Sequence, residues 1–181
     1  MTVCAAVLLD DGRVYCATDA AVGYAGGYRR PMVVGTGWDD FKDQCLIRES
    51  GSDLALARVR AKMVEHKKSP KLADARFIAQ LVREVQDEVK GTEGVDSIEC
   101  ELLHVSFDGL IHVVGGDGGV VGPYPYTAIG PGGTPVNPIF DYDFPKKAKI
   151  TERIARDVVK RAFAVCPIFC DSVPGFFQTI Y

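Results

Sequence analysis

Two stretches of helical hydrophobic period stand side by side in the middle of an otherwise strand-forming chain. The first, "SGSDLALARVRAKMVEHKK", has helix-start residues at Ser50–Asp53 and sets Leu56, Val59 and Met63 near one face. The second, "DARFIAQLVREVQDEVKG", carries Phe77/Ile78, Leu81/Val82, Val85 and Val89 as an apolar stripe, with Asp74 as cap and Gly91 as stop. Strands flank this pair in blocks. Val3–Leu9 and Arg13–Thr18 read as a hairpin about Asp10-Asp11-Gly12, and Pro31–Val34 and Gln44–Ile47 are short strand candidates. Beyond the helices, "IECELLHVSF" and "LIHVV" flank Asp108-Gly109, a hairpin turn signal. "GGDGGVVGPYPYTAIGPGG" ends in a short strand, and Pro135–Pro145 reads as an irregular connection. "TERIARDVVKRAFA" is a third helix, with Ile154, Val158 and Ala162 on its stripe, and "GFFQTIY" is a last strand. Each helix must bury its stripe and each sheet a face. Blocks of strands and helices, rather than strict alternation, therefore imply a layered α+β or αββα sandwich.

Composition bounds the function. The chain has 181 residues, of which 47% are apolar, enough for one domain spanning 1–181 with a core of its own. A net charge of −3 gives no nucleic-acid footprint. The short basic clusters Lys67-Lys68 and Lys146-Lys147 read as solvated loop charges. No apolar run reaches the roughly 18 residues of a membrane span. No signal peptide is legible at the start, so the expected setting is cytoplasmic.

Six cysteines are present, none in a C-x-x-C pair. Cys4, Cys16, Cys45 and Cys100 lie in apolar strand-like runs, where a thiol acts as a small buried hydrophobe. Cys166 and Cys170, four apart with a proline between them, are assigned to core or loop packing. His66, His104 and His112 fall in no ligand spacing with the cysteines, which argues against zinc. The glycine clusters match neither G-x-G-x-x-G between strand and helix nor a phosphate loop, so no nucleotide cofactor is expected.

The chain starts its first strand at once: "MTVCAAVLLDDGRVYCATDA" leaves only Met1 before Thr2. That stretch resembles the mature start of the 20S proteasome β-subunits and of the bacterial HslV peptidase, a Thr-led strand, hairpin and strand ending in A-x-D. Three further pieces, in the same order, complete the resemblance. "RESGSDLALARVRAKM" is similar to the family's strand-to-first-helix junction. "TAIGPGG" is similar to its A-x-G-S-G-G turn, and "CDSVPGFFQTIY" to its D-S-x-S-G segment and last strand. The resemblance covers nearly the whole chain and is patchy between residues 20 and 45. It implies an N-terminal nucleophile hydrolase with a four-layer αββα sandwich.

By the same resemblance Thr2 is the nucleophile, with its own α-amine, of pKa about 8, as general base once Met1 is trimmed. Asp19 is the carboxylate that orients the charge network, and Asp171 is the aspartate near the Thr amine. Arg48 aligns with the strand-end residue whose backbone N–H helps hold the oxyanion. The implied partners are further copies of the chain in a six- or seven-fold ring, an ATP-driven unfoldase, and a polypeptide substrate. No metal or cofactor is implied.

Several positions depart from the family pattern. The family lysine falls near Gly37, and no lysine lies between Ala20 and Phe41. Arg29 and Arg30 are the cations in that gap, and a guanidinium does not give up its proton. Pro131 and Pro174 replace two serines and bring neither hydroxyl nor backbone N–H. Arg48 replaces a glycine, keeping the backbone N–H but setting a large charged side chain where substrate backbone would approach. Loss of one oxyanion donor alone costs about 3 kcal/mol of transition-state stabilisation. The expectation is therefore a proteasome-like subunit resembling a threonine endopeptidase, with weak or absent activity. The alternative is a structural or binding subunit that has lost the chemistry. Another amide hydrolase of the same superclass also stays open, though Cys4, which is not terminal, cannot replace Thr2.

Overall fold

The computed structural model describes residues 3–19, 21–23, 29–31, 45–51, 53–93, 99–165 and 176–180. Strand β1 (Cys4–Leu8) turns through Asp10–Gly12 into β2 (Val14–Asp19). A short ladder of β3 (Ala21–Gly23) and β4 (Arg29–Pro31) follows, then β5 (Cys45–Gly51). Helix α1 (Asp53–Glu65) passes through a 3-10 turn (Pro70–Ala73) into α2 (Ala75–Glu93). Next come β6 (Cys100–Ser106), β7 (Ile111–Gly115), β8 (Val120–Tyr124), β9 (Tyr126–Ile129), α3 (Gly133–Asp143), α4 (Glu152–Phe163) and β10 (Phe176–Ile180). The chain is thus α+β, as its blocks of period require. Among the described residues no helix is long and apolar enough to cross a membrane.

Two four-stranded sheets carry the molecule, ordered β10-β2-β1-β9 and β5-β6-β7-β8. Alternation along β1 sends Val3, Ala5, Val7 and Leu9 to one apolar cluster and Cys4 and Ala6 to another. The first cluster packs against Phe140 and Phe144 and against Ala155, Val158, Val159 and Ala162 of α4. The second joins both sheets, with Cys16 and Ile129 meeting Leu103, Val105 and Ile111. A third sets Val59 and Met63 of α1 and Ile78, Val82 and Val85 of α2 against Ile47 and Leu102. A strand covered on both faces must be apolar at every position, which is why β1 reads as the unbroken run C-A-A-V-L.

Five local expectations are corrected. Gly91 does not stop α2, which continues to Glu93. A single glycine costs a helix about 1 kcal/mol, and a buried stripe easily outweighs that. Residues 135–145 are not irregular. They form most of α3, where Pro135 sits in the first turn and needs no N–H, while Pro138 lies inside the helix. Strand β5 runs on through Ser50 to Gly51, so the helix starts at Asp53. The short strand expected at residues 31–34 begins earlier, at Arg29, and residues 32–34 lie outside the described set. Finally, β8 is a strand despite its Gly-Pro. It is the edge of its sheet, where a missing N–H breaks no ladder.

Candidate active site

The strand register brings the ends of several elements to one end of the molecule. Cys4, at the start of β1, pairs with Thr18 near the end of β2 and with Ile129 at the end of β9. Asp19, the last residue of β2, pairs with Phe176, the first of β10. In the other sheet Gly51 closes β5 opposite Cys100, the first residue of β6. Polar contacts between described residues join the sheets at this end. The Cys4 thiol lies 3.6 Å from the carbonyl oxygen of Glu49, and the Gly130 N–H donates to a Glu101 carboxylate oxygen at 2.7 Å. Cys4 Sγ also lies 3.5 Å from the Thr18 hydroxyl.

The turn after β9 is built for close approach. Gly130 has φ +80° and accepts a bond from Gly133 N. A Cβ on Gly132 would come within 2.6 Å of Val3 Cβ, so the turn lies directly against the first described residue of the chain. Val3 itself is buried. A Cβ on Gly133 would meet the Ala128 carbonyl oxygen at 2.6 Å. The glycines of "GPGG" are therefore spaced by contact with β1 and β9.

The four sequence-derived site residues fare differently. Thr2 and Asp171 lie outside the described residues, as do Gly37 and Pro174. The backbone of Asp19 stands at the meeting of strand ends. Arg48 lies in β5 opposite Leu103, one residue before the Glu49 carbonyl that Cys4 touches. Arg29 and Arg30 lie in β4, opposite Gly23 and Val22. Pro131 occupies the exposed turn between Gly130 and Gly132.

Sequence reading missed the acidic groups at this end. Glu99, Glu101 and Asp117 line an open cavity of about 480 Å³ together with Gly51, Gly130 and Pro131. Asp117 also caps its own turn through Gly119 N at 2.8 Å. Glu49 pairs with Arg60 of α1. The available signal was the polar pair Glu99 and Glu101 bracketing Cys100 where an apolar strand begins.

Burial sets the thiol chemistry here. Cys4, Cys16, Cys45 and Cys100 are buried thiols, as their apolar runs imply. Burial pushes Cys100 up to about 11, with Glu49 and Glu101 adding to the effect, and pushes Cys45 up to about 12. Neither is a thiolate nucleophile near neutral pH. Cys166 and Cys170 lie outside the described residues. Among the described residues no group of three His, Cys, Asp or Glu side chains is placed to hold a metal ion.

No family profile matches the sequence, and no curated protein matches it. Solved structures do. HslV from Trypanosoma brucei superposes with a TM-score of 0.66 at 16% identity, over 99% of this chain and 98% of that one. The Gly-1 mutant of Anbu from Hyphomicrobium sp. strain MC1 gives 0.76 at 15%, over 100% of this chain and 81% of that one. Thiobacillus denitrificans BPH in complex with epoxomicin gives 0.68 at 18%, over 100% and 98%. The chain has the HslV- and proteasome-like N-terminal nucleophile hydrolase fold.

Proposed function

We propose that this chain is a single-domain, four-layer αββα subunit of a self-assembling, cytoplasmic proteasome-like ring, with a degenerate threonine site that cleaves polypeptides slowly. The observation that supports it most is the convergence of strand ends on the start of β1, with Asp19, the end of β5 and the GPGG turn around it. The three apolar clusters support the layer order.

In this reading Met1 is removed and the Thr2 hydroxyl attacks the scissile carbonyl. Its proton passes to the Thr2 α-amine and then to the leaving amine of the substrate. Water hydrolyses the resulting ester and regenerates the hydroxyl. Asp19 and Asp171 stabilise the protonated amine, and the Arg48 N–H donates to the oxyanion. No lysine serves the hydroxyl, and Pro131 supplies no hydroxyl at the turn, so the rate is low. An ATP-driven unfoldase would feed the ring.

A second reading, a structural or binding subunit without the chemistry, is favoured by one observation. The Gly130 N–H of the turn is already occupied by Glu101.

Intact mass before and after incubation with epoxomicin, paired with a peptide-cleavage assay, separates the two. A mass lacking Met1 that gains one inhibitor, with cleavage that disappears in Thr2→Ala, is the expected result. Retention of Met1, or its loss without adduct or cleavage, hands the chain to the second reading.

A further inference from the structure

His104 is a polar side chain enclosed in the sheet side that faces α1 and α2, with no exposed surface. Its Nε2 lies 3.0 Å from the carbonyl oxygen of Leu72, in the 3-10 turn that joins α1 to α2. A carbonyl only accepts, so Nε2 carries the proton, and the neutral ring leaves Nδ1 as a bare lone pair. That Nδ1 is buried and has no hydrogen-bond partner among the described residues. His112 stands directly opposite on β7, its ring 6.3 Å away, with its own Nδ1 also buried and unpartnered among the described residues.

We propose that His104 is a pH-sensitive latch: neutral, it pins the α1–α2 turn to the sheet, and protonated on Nδ1 in mild acid, it releases that turn. The His104 bond adds to the packing of Leu72, which fills the core beneath the helices. A proton on Nδ1 would place a charge and an N–H where none of the described groups accepts it, so the ring must leave or the turn must open.

The surrounding groups offset the cation's burial only in part. His112 on β7 opposes it. Asp74, at the start of α2, is engaged by Arg76 N at 2.9 Å, and Asp108, in the β6–β7 turn, accepts from the Ser106 hydroxyl. Lys71 of the turn lies 5.7 Å over the Phe77 ring, and His66, beyond α1, packs edge-on against the same ring at 5.3 Å. Cys45 on β5 is neutral, pushed up to about 12. Burial holds His104 below its ordinary range. The Leu72 bond, Asp74 and Asp108 pull the other way, and His112 adds to the lowering. A lowered folded-state value means that the open state takes the proton first. The hold is therefore complete above about pH 6.5 and is lost as pH falls below it.

Hydrogen exchange of the segment 66–76, normalised to intrinsic rates, tests this on the intact chain at pH 7.5 and 5.5. Opening is expected to rise by up to about tenfold per pH unit below 6.5, the effect of one proton. His104→Gln keeps a donor at the reach of Nε2 but cannot titrate, so it is expected to show no such rise, whereas His112→Gln retains it. An equal rise in His104→Gln, or none in the wild type, overturns the latch. If His104→Gln does not fold, the NMR titration of the wild-type imidazole decides. An Nε2–H tautomer titrating below the ordinary range upholds the latch, and titration at or above that range ends it. None of these outcomes depends on threonine chemistry.

Discussion

Gly51 closes β5 with φ +143°, and a Cβ there would sit 2.1 Å from the Glu99 carbonyl oxygen. Both the backbone angle and the space require glycine. Gly51→Ala is expected to destabilise the protein by about 2–4 kcal/mol, read as a lower urea midpoint, while an exposed control such as Ala57→Ser shifts it little. Cys45 is a second residue-scale case. Its buried thiol, pushed up to about 12, stays protonated through mildly alkaline pH. Alkylation at pH 8 followed by peptide mapping is expected to leave Cys45 unmodified in the native protein and to label it after denaturation. The raised value also carries a sign. Its stabilising effect is complete below the unfolded thiol's value near 8.5 and is lost as pH rises above it. The apolar run around Cys45 made its burial legible in advance. Nothing in the sequence showed that Gly51 meets Glu99, because that contact joins the end of β5 to the residue before β6, far apart in the chain.

At the element scale, β9 is an edge strand protected by a side chain. Asn137 of α3 accepts from Ala128 N at 2.8 Å and donates to Ala128 O at 2.9 Å, taking the place of a partner strand, since β9 is the edge among the described residues. Asn137→Ala is expected to cost about 1–3 kcal/mol by urea unfolding, with Asn137→Asp nearly as costly because one donor becomes an acceptor. The same helix was misread from sequence as an irregular segment, since Pro135 and Pro138 are local breakers. Tertiary packing wins there: Val136 and Phe140 are buried, and Phe140, Phe144 and Tyr126 form an aromatic cluster with centroids 4.9–6.1 Å apart. By contrast the extent and the stripe of α4 were legible, though its cap was not read. Its cap Thr151 accepts from Ile154 N at 3.4 Å, and its stripe matches its buried face.

At the scale of the whole molecule, the proposed ring is separable from the proposed chemistry. Native mass spectrometry is expected to show the same oligomer for the wild type and Thr2→Ala, because assembly needs surfaces rather than the hydroxyl. A monomeric wild type would contradict the ring. The site end of the molecule carries Glu99, Glu101 and Asp117 around an open cavity.

The sequence alone determined the block order of strands and helices, the apolar stripes, both hairpin turns and the first strand. Those features are local: periodicity and turn chemistry need only neighbouring residues. Tertiary structure decided which strand ends meet, why the GPGG glycines cannot carry side chains, that Glu101 holds the Gly130 N–H, and that His104 reaches Leu72. Each of these joins residues distant in sequence, and a one-dimensional pattern carries no record of the distance between them once the sheets have packed.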